Sequence, residues 1–181
     1  MRITVRRGDI TVQDTDAIVN AANSALAGGG GVDGAIHAAA GPELAAACRE
    51  LRRTVLPRGL AVGQAVATTA GRLPARWVIH TVGPNRHAGQ TDPALLASCF
   101  TSSLDVAAGL GARSIAFPAV SAGVYGWDVE EVARIALDAV RGWRGAPGHA
   151  LQEQEDGGIA EVRFVLFGAA QEAAFRRAAG G

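Results

Sequence analysis

The chain lacks an excess of charge of either sign. Lys and Arg together number 17, Asp and Glu likewise 17, and the formal net charge is zero. A groove built for a phosphate-rich polymer normally shows as a basic surplus, so the balance argues against nucleic acid as the main ligand and leaves room only for local patches. Cysteine is scarce too. Cys48 and Cys99 are the only two, and neither stands in a CxxC or Cys/His cluster with metal-ligand spacing, so no structural zinc is expected. Each falls on the apolar stripe of a predicted helix, which points to buried thiols, although spacing alone leaves their pairing open. No apolar run approaches the ~20 residues of a membrane span. The first residues alternate as a strand where a leader would carry a charged and then an apolar stretch. A soluble, cytoplasmic chain is the expectation. Internal repeats and a second domain are also missing, and 181 residues suit one full-sized core, a single domain over 1–181.

What is abundant is glycine, 24 residues, four of them consecutive in Ala17–Gly41, AIVNAANSALAGGGGVDGAIHAAAG. A buried strand runs into Asn20 and Asn23, then the glycine loop, then a helix carrying Asp33. Ordering glycine costs more backbone entropy than ordering any other residue, so such a run implies close approach of something to the backbone. A helix N-terminus behind it suits an anion, phosphate above all. A flexible surface tip is the alternative, and the flanking asparagines and acid argue against it. A second junction of this kind, Ser121-Ala122-Gly123-Val124-Tyr125-Gly126, follows the strand ending near Pro118. Two strand–loop–helix junctions in one α/β domain lie together at the carboxyl edge of the sheet, where they can grip a diphosphate from both sides.

The remaining segments alternate between strand and helix signals. Strands are predicted over Arg2–Arg6, Ala17–Ala22, Gln64–Thr69, Trp77–Val82, Ser114–Phe117 and Val162–Phe167, about six in all, in a sheet covered on both faces. Helices open at Pro42 and at Asp92-Pro93, behind Asp128, and over Ala169–Ala178. Asp128 with Glu131 reads as a capping box. Residues 145–158 read as an exposed loop.

Four acids and amides stand out near the junctions. Asp33 in a first helical turn favours the helix dipole, yet a carboxylate beside a diphosphate is repelled. Its functional role would be to face a hydroxyl or a water as acceptor or general base. Asn20 and Asn23 are either turn formers or amides offered to sugar hydroxyls. Asp9 is either a turn acid or an acceptor for an exocyclic amine. Gly29, Gly31 and Gly34 also satisfy G-x-G-x-x-G, but six residues separate the strand from the first glycine. The acid expected some ~20 residues on would be Glu50, on the polar side of a helix, so a nicotinamide site is the weaker reading.

Four segments, GDIT (Gly8–Thr11), Asp16–Gly41, LPARWVIHTVGP (Leu73–Pro84) and AFPAVSAGVYG (Ala116–Gly126), make the chain resemble a macrodomain of the MacroD type. The resemblance implies a three-layer α/β/α sandwich around a mixed, about six-stranded sheet, with ADP-ribose in a cleft. It implies that Asp9 accepts from the adenine amine beside Ile10. It places the diphosphate between Gly29, Gly30, Gly31 and Val32 on one side and Ser121, Ala122, Gly123, Val124 and Tyr125 on the other. Asn20, Asn23 and Asp33 would surround the distal ribose, with Tyr125 against that sugar and Phe167 over the adenine. Asn23 and Asp33 would carry the chemistry: ester hydrolysis releasing ADP-ribose from acidic side chains, or deacetylation of O-acetyl-ADP-ribose, by water and without metal or cofactor. A non-catalytic reader of ADP-ribose marks is the alternative. Candidate partners are mono-ADP-ribosylated proteins, O-acetyl-ADP-ribose and ADP-ribosylated nucleic-acid ends, met by a monomer. The chain departs from the resemblance at Ala38, after His37, and at Trp127-Asp128, where Trp127 would alter the cleft rim. His37 itself reads as a packed helical residue.

Overall fold

The computed structural model describes residues 1–145 and 158–180; most of the loop expected over 145–158 lies outside them. Among these residues six strands form one sheet: β1 (Arg2–Arg7), β2 (Ala17–Ala21), β3 (Ala65–Thr69), β4 (Trp77–Thr81), β5 (Ser114–Phe117) and β6 (Glu161–Leu166). Their order is β1-β6-β5-β2-β4-β3. Every neighbouring pair is parallel except β3 with β4. The sheet is therefore mixed, and the expected α/β/α sandwich is the fold observed.

Among the described residues five α-helices cover it: α1 (Gly31–Ala40), α2 (Pro42–Thr54), α3 (Pro93–Gly109), α4 (Val129–Gly142) and α5 (Ala169–Gly180). Strand alternation divides the apolar residues between two cores. Val19, Ile79, Ile115, Phe117, Val162 and Phe164 point towards α3, α4 and α5. There Phe100, Phe117, Phe164 and Phe175 form a chain of tilted and edge-on rings, centroids 5.0–6.3 Å apart. Ile18, Val78, Ala116 and Val165 point the other way, onto Ile36 of α1 and Leu44 and Cys48 of α2. Burying each such aliphatic side chain contributes about 1.5–3 kcal/mol.

Helix ends follow the sequence closely. Asp92 accepts from the Ala94 N–H and Pro93 sits in the first turn, where its missing N–H costs nothing. Asp128 accepts from the Glu130 and Glu131 N–H groups. The capping box, however, is only half built. The Glu131 side chain turns away to Arg86 at 2.5 Å instead of reaching back to the cap. Arg86 also lies over the Trp127 ring, 4.0 Å from its centroid. Trp127 is consequently buried and donates from Nε1 to the Pro84 carbonyl. It props the second loop from beneath and does not reach the cleft rim.

Candidate functional site

Parallel strands β2 and β5 are neighbours, so the loops leaving their carboxyl ends open on the same edge of the sheet. Between them is a cavity of about 650 Å³. Its wall includes Asp9 and Ile10 after β1, Asn23, Gly29, Gly30, Gly31, Val32 and Asp33 around the first loop, and Ser121, Gly123, Val124 and Tyr125 from the second. Phe167, at the end of β6, closes one side and is 87% exposed. A volume of that size accommodates a nucleotide-sized ligand.

Among the described residues both loops present backbone donors without a hydrogen-bond partner. Gly30 caps α1 without any side-chain bond, so the first N–H groups of the helix face outward with the positive end of its dipole behind them. The chain reaches that geometry through left-handed backbone at Gly28 (φ 77°) and Gly31 (φ 58°), which only glycine adopts without strain. In the second loop Ser121 is itself left-handed (φ 66°), a strained setting for a residue with a Cβ. Its Oγ is buried in the cavity wall without a hydrogen-bond partner among the described residues. The Gly123, Val124 and Tyr125 N–H groups likewise make no bond among the described residues.

Ala122 departs from expectation. Its N–H donates to the Ala119 carbonyl at 3.2 Å, and it packs against the α3–α5 core outside the cavity lining. The turn that shapes the loop uses that N–H.

Asn23 lines the cavity, but its side chain is committed to the first loop. Its amide donates to the Gly28 carbonyl at 2.9 Å and accepts from the Ala27 N–H at 3.1 Å. These two bonds, to residues four and five positions on, brace the loop at the cavity edge. Asp9 accepts through Oδ1 from the N–H and hydroxyl of Thr11, so the turn role is present in an exposed residue of the cavity mouth.

Asp33 is 5% exposed, and its two oxygens differ. Oδ1 accepts from Asn20 Nδ2 at 2.7 Å, and His37 Nε2 lies 3.4 Å from it, one helical turn on. Oδ2 makes no hydrogen bond among the described residues and lies on the Gly29 side, so close that a Cβ on Gly29 would stand 3.3 Å from it. One oxygen is anchored in the protein and the other is available to the cavity.

Asn20 does not line the cavity. It is fully buried behind Asp33, because it shares strand parity with Ile18 and so points at the α1/α2 layer. The structure places its amide against the acid and outside the cavity lining. Sequence reasoning missed its neighbour altogether. His80 sits opposite Asn20 in the β2–β4 register, with Nδ1 3.2 Å from Asn20 Nδ2 and Nε2 2.9 Å from Thr68 Oγ1. Cys48 Sγ lies 3.8 Å from Nε2. The available signal was a histidine and an asparagine inside otherwise apolar strands, since buried polar groups need partners.

Burial, with the nearby His37 charge second, pulls His80 down to about 3 from its usual 6.5. Burial likewise pushes the Cys48 thiol up to about 11, with the Asp33 charge adding to it. His80 is thus neutral in the fold across the physiological range. Its lowered value means that the unfolded chain takes up a proton near pH 6.5 while the folded one refuses it. Stability is then lost as pH falls from about 6.5 towards about 3, at up to ~1.4 kcal/mol per pH unit from this group. Urea midpoints at pH 7 and pH 4.5 should differ more for the wild type than for His80→Asn.

Among the described residues no group of three or more His, Cys, Asp or Glu side chains is placed to hold a metal ion. No helix there is long and apolar enough to cross a membrane.

The chain is 58% identical over 163 residues, 90% of its length and 86% of the relative's, to a macro domain-containing protein of Streptomyces griseus. It is 52% identical over 140 residues, 77% of each chain, to an O-acetyl-ADP-ribose deacetylase of Cronobacter sakazakii. A macrodomain of Trypanosoma brucei solved in complex with ADP-ribose superposes with a TM-score of 0.82 at 37% identity, over 98% of this chain and 69% of that one. The macro domain family model matches residues 19–136, a span that holds both cavity loops and the Asn20–Asp33–His80 cluster, and the chain belongs to that family.

Proposed function

We propose that the cavity binds ADP-ribose and that the protein hydrolyses the ester joining its distal ribose to an acyl group, either a glutamate or aspartate side chain or acetate. The observation that carries this reading is Asp33. A buried carboxylate with one oxygen held and one turned to a cavity is out of place in a site that only binds phosphate, because it repels the ligand. It has a use where a hydroxyl or a water must be oriented. The relatives agree in direction, one being solved with ADP-ribose and another named for deacetylating its O-acetyl derivative.

In this reading the free N–H groups at the start of α1 and those of Gly123, Val124 and Tyr125 bind the diphosphate, with the Ser121 hydroxyl donating beside them. Asp9, Ile10 and Phe167 form the adenine end, and Tyr125 and Asn23 flank the distal sugar. Diphosphate and adenosine binding supply the energy that fixes the reacting ester, which is remote from both. Water adds to the acyl carbon, the acyl carbon–ribose oxygen bond breaks, and the ribose oxygen leaves as a hydroxyl after receiving the proton. Asp33 Oδ2 orients the ribose and the water. No metal or cofactor is assigned a role.

The test is incubation with a protein mono-ADP-ribosylated on glutamate, in parallel with one modified on arginine. Mass spectrometry should show free ADP-ribose and restored glutamate from the ester and no release from the N-glycosidic bond. Tight binding of the modified protein with the ester left intact would instead make this a reader.

A further inference from the structure

Behind Asp33 the three strands β2, β4 and β3 each turn one polar side chain towards the α1/α2 layer: Asn20, His80 and Thr68. They lie in hydrogen-bonding sequence, and Asn20 and His80 are fully buried. The cluster touches the cavity only through Asp33. From this geometry we infer that His80 is a positioning residue for the reaction, fixing the Asn20 amide that in turn fixes Asp33. The inference rests on the reading of Asp33 as the group that meets the substrate.

Counting protons defines the arrangement. The Asn20 amide nitrogen carries two hydrogens and has two neighbours, Asp33 Oδ1 at 2.7 Å and His80 Nδ1 at 3.2 Å. Turning the amide over would set its oxygen against a carboxylate oxygen at that short distance, which is repulsive. Both hydrogens are therefore donated, and His80 Nδ1 must be the bare, accepting nitrogen. The imidazole proton then sits on Nε2 and is donated to Thr68 Oγ1 at 2.9 Å. The amide thus fixes the tautomer, Thr68 Oγ1 takes the remaining imidazole proton, and His80 Nδ1 holds the amide whose other hydrogen holds Oδ1; Asn20 Oδ1 itself has no hydrogen-bond partner among the described residues. The rotation of the Asp33 carboxyl group is set by this chain, and with it the direction of Oδ2.

The other groups around Asp33 do not substitute for it. His37 Nε2, on α1 itself, is at ion-pair distance from Oδ1 without making a hydrogen bond. Cys48, from α2, has its Sγ 3.8 Å from His80 Nε2 and makes no hydrogen bond to Asp33 among the described residues. In the described residues the hydrogen bond from Asn20 is what holds the acid.

Two near-isosteric substitutions separate positioning from packing. In His80→Asn the amide oxygen occupies the place of Nδ1 and still accepts from Asn20. In His80→Gln the terminal amide occupies the place of Nε2, keeps Thr68, and leaves Asn20 without its acceptor. On the O-acetyl-ADP-ribose ester, His80→Asn should keep kcat within about threefold. His80→Gln should lose about tenfold or more in kcat, as a small misplacement of a reacting group does, with KM and the ADP-ribose Kd within about threefold. Asn20→Leu should reproduce that loss, and the double variant Asn20→Leu with His80→Gln should be no worse than either alone, because both cut one chain. Equal kcat values for the Asn and Gln variants, with Asp33→Ala inactive, would overturn the role of His80 and leave Asp33 in place. Wild-type turnover in Asp33→Ala would remove the reading on which it rests.

Discussion

Replacing Asp33 by alanine should lower turnover of an ADP-ribosyl ester by about 10²–10⁴-fold, the usual contribution of a positioned acid or base, while the Kd for ADP-ribose stays within about tenfold. The split follows from where the group sits. Asp33 lies at the cavity wall, yet none of the backbone donors available to phosphate depends on its side chain. Removing a carboxylate beside a diphosphate also removes a repulsion, which offsets part of whatever sugar contact is lost. Stability should fall too, because Asn20 Nδ2 would be left with an unpaired buried N–H, at a cost of about 1–3 kcal/mol. Single-turnover rates at saturating enzyme, set beside calorimetry with ADP-ribose, separate the two quantities. Unchanged turnover would take Asp33 out of the mechanism. A hundredfold loss of affinity equal to the loss in rate would make it a binding residue.

The contrast between Asn20 and Asn23 shows what was legible in the sequence. Both precede a glycine loop, and the sequence points both at the sugar. Strand parity separates them: Asn20 is the fourth residue of β2 and follows Ile18 onto the α1/α2 face, whereas Asn23 lies beyond the strand and can turn into the loop. A strand buried on both faces reads as one apolar run, so the run marked the strand but not which face held its ligand-side polar residue. The loops were legible for a local reason. Positive φ at Gly28 and Gly31 and an uncapped helix start are properties of a short segment. His80 was not, because its meaning depends on register with β2, a contact 60 residues away in the chain. The same holds for Glu131, whose local capping role lost to Arg86, a partner 45 residues distant, and for Ala122, whose N–H the turn itself consumed. Strand order, and the antiparallel placement of β3, likewise depend on distant pairings that no local pattern encodes.

Gly34→Ala should damage ligand binding and stability together, although the new methyl group faces no ligand. Gly34 lies in the first turn of α1, next to Asp33, and a Cβ built there would stand 2.4 Å from the Gly29 carbonyl oxygen. No accepted contact is that short, and the obstacle is backbone, so no side-chain rotation relieves it. Either α1 retreats or the loop carrying Gly29 moves. Overpacking of this kind costs about 1–3 kcal/mol, and for a chain of this size about 2–4 °C in Tm per kcal/mol. Gly29 lies in the first loop beside Asp33 Oδ2 and Asn23 Nδ2, which a Cβ built on it would meet at 3.3 and 3.8 Å, so movement of that loop disturbs its donors and the surroundings of the acid at once. A shift near 1 Å at such a site is worth up to about 10²-fold, so ADP-ribose affinity should drop at least about tenfold and turnover further still. The comparison is Gly142→Ala at the end of α4, where a Cβ meets nothing within 4 Å and φ is not left-handed. That substitution should be neutral or stabilise by about 0.4–1 kcal/mol through the unfolded chain. If Gly34→Ala bound ADP-ribose as well as the wild type, the first loop would not be the diphosphate cradle, and the packing of Gly34 under it would serve the helix alone.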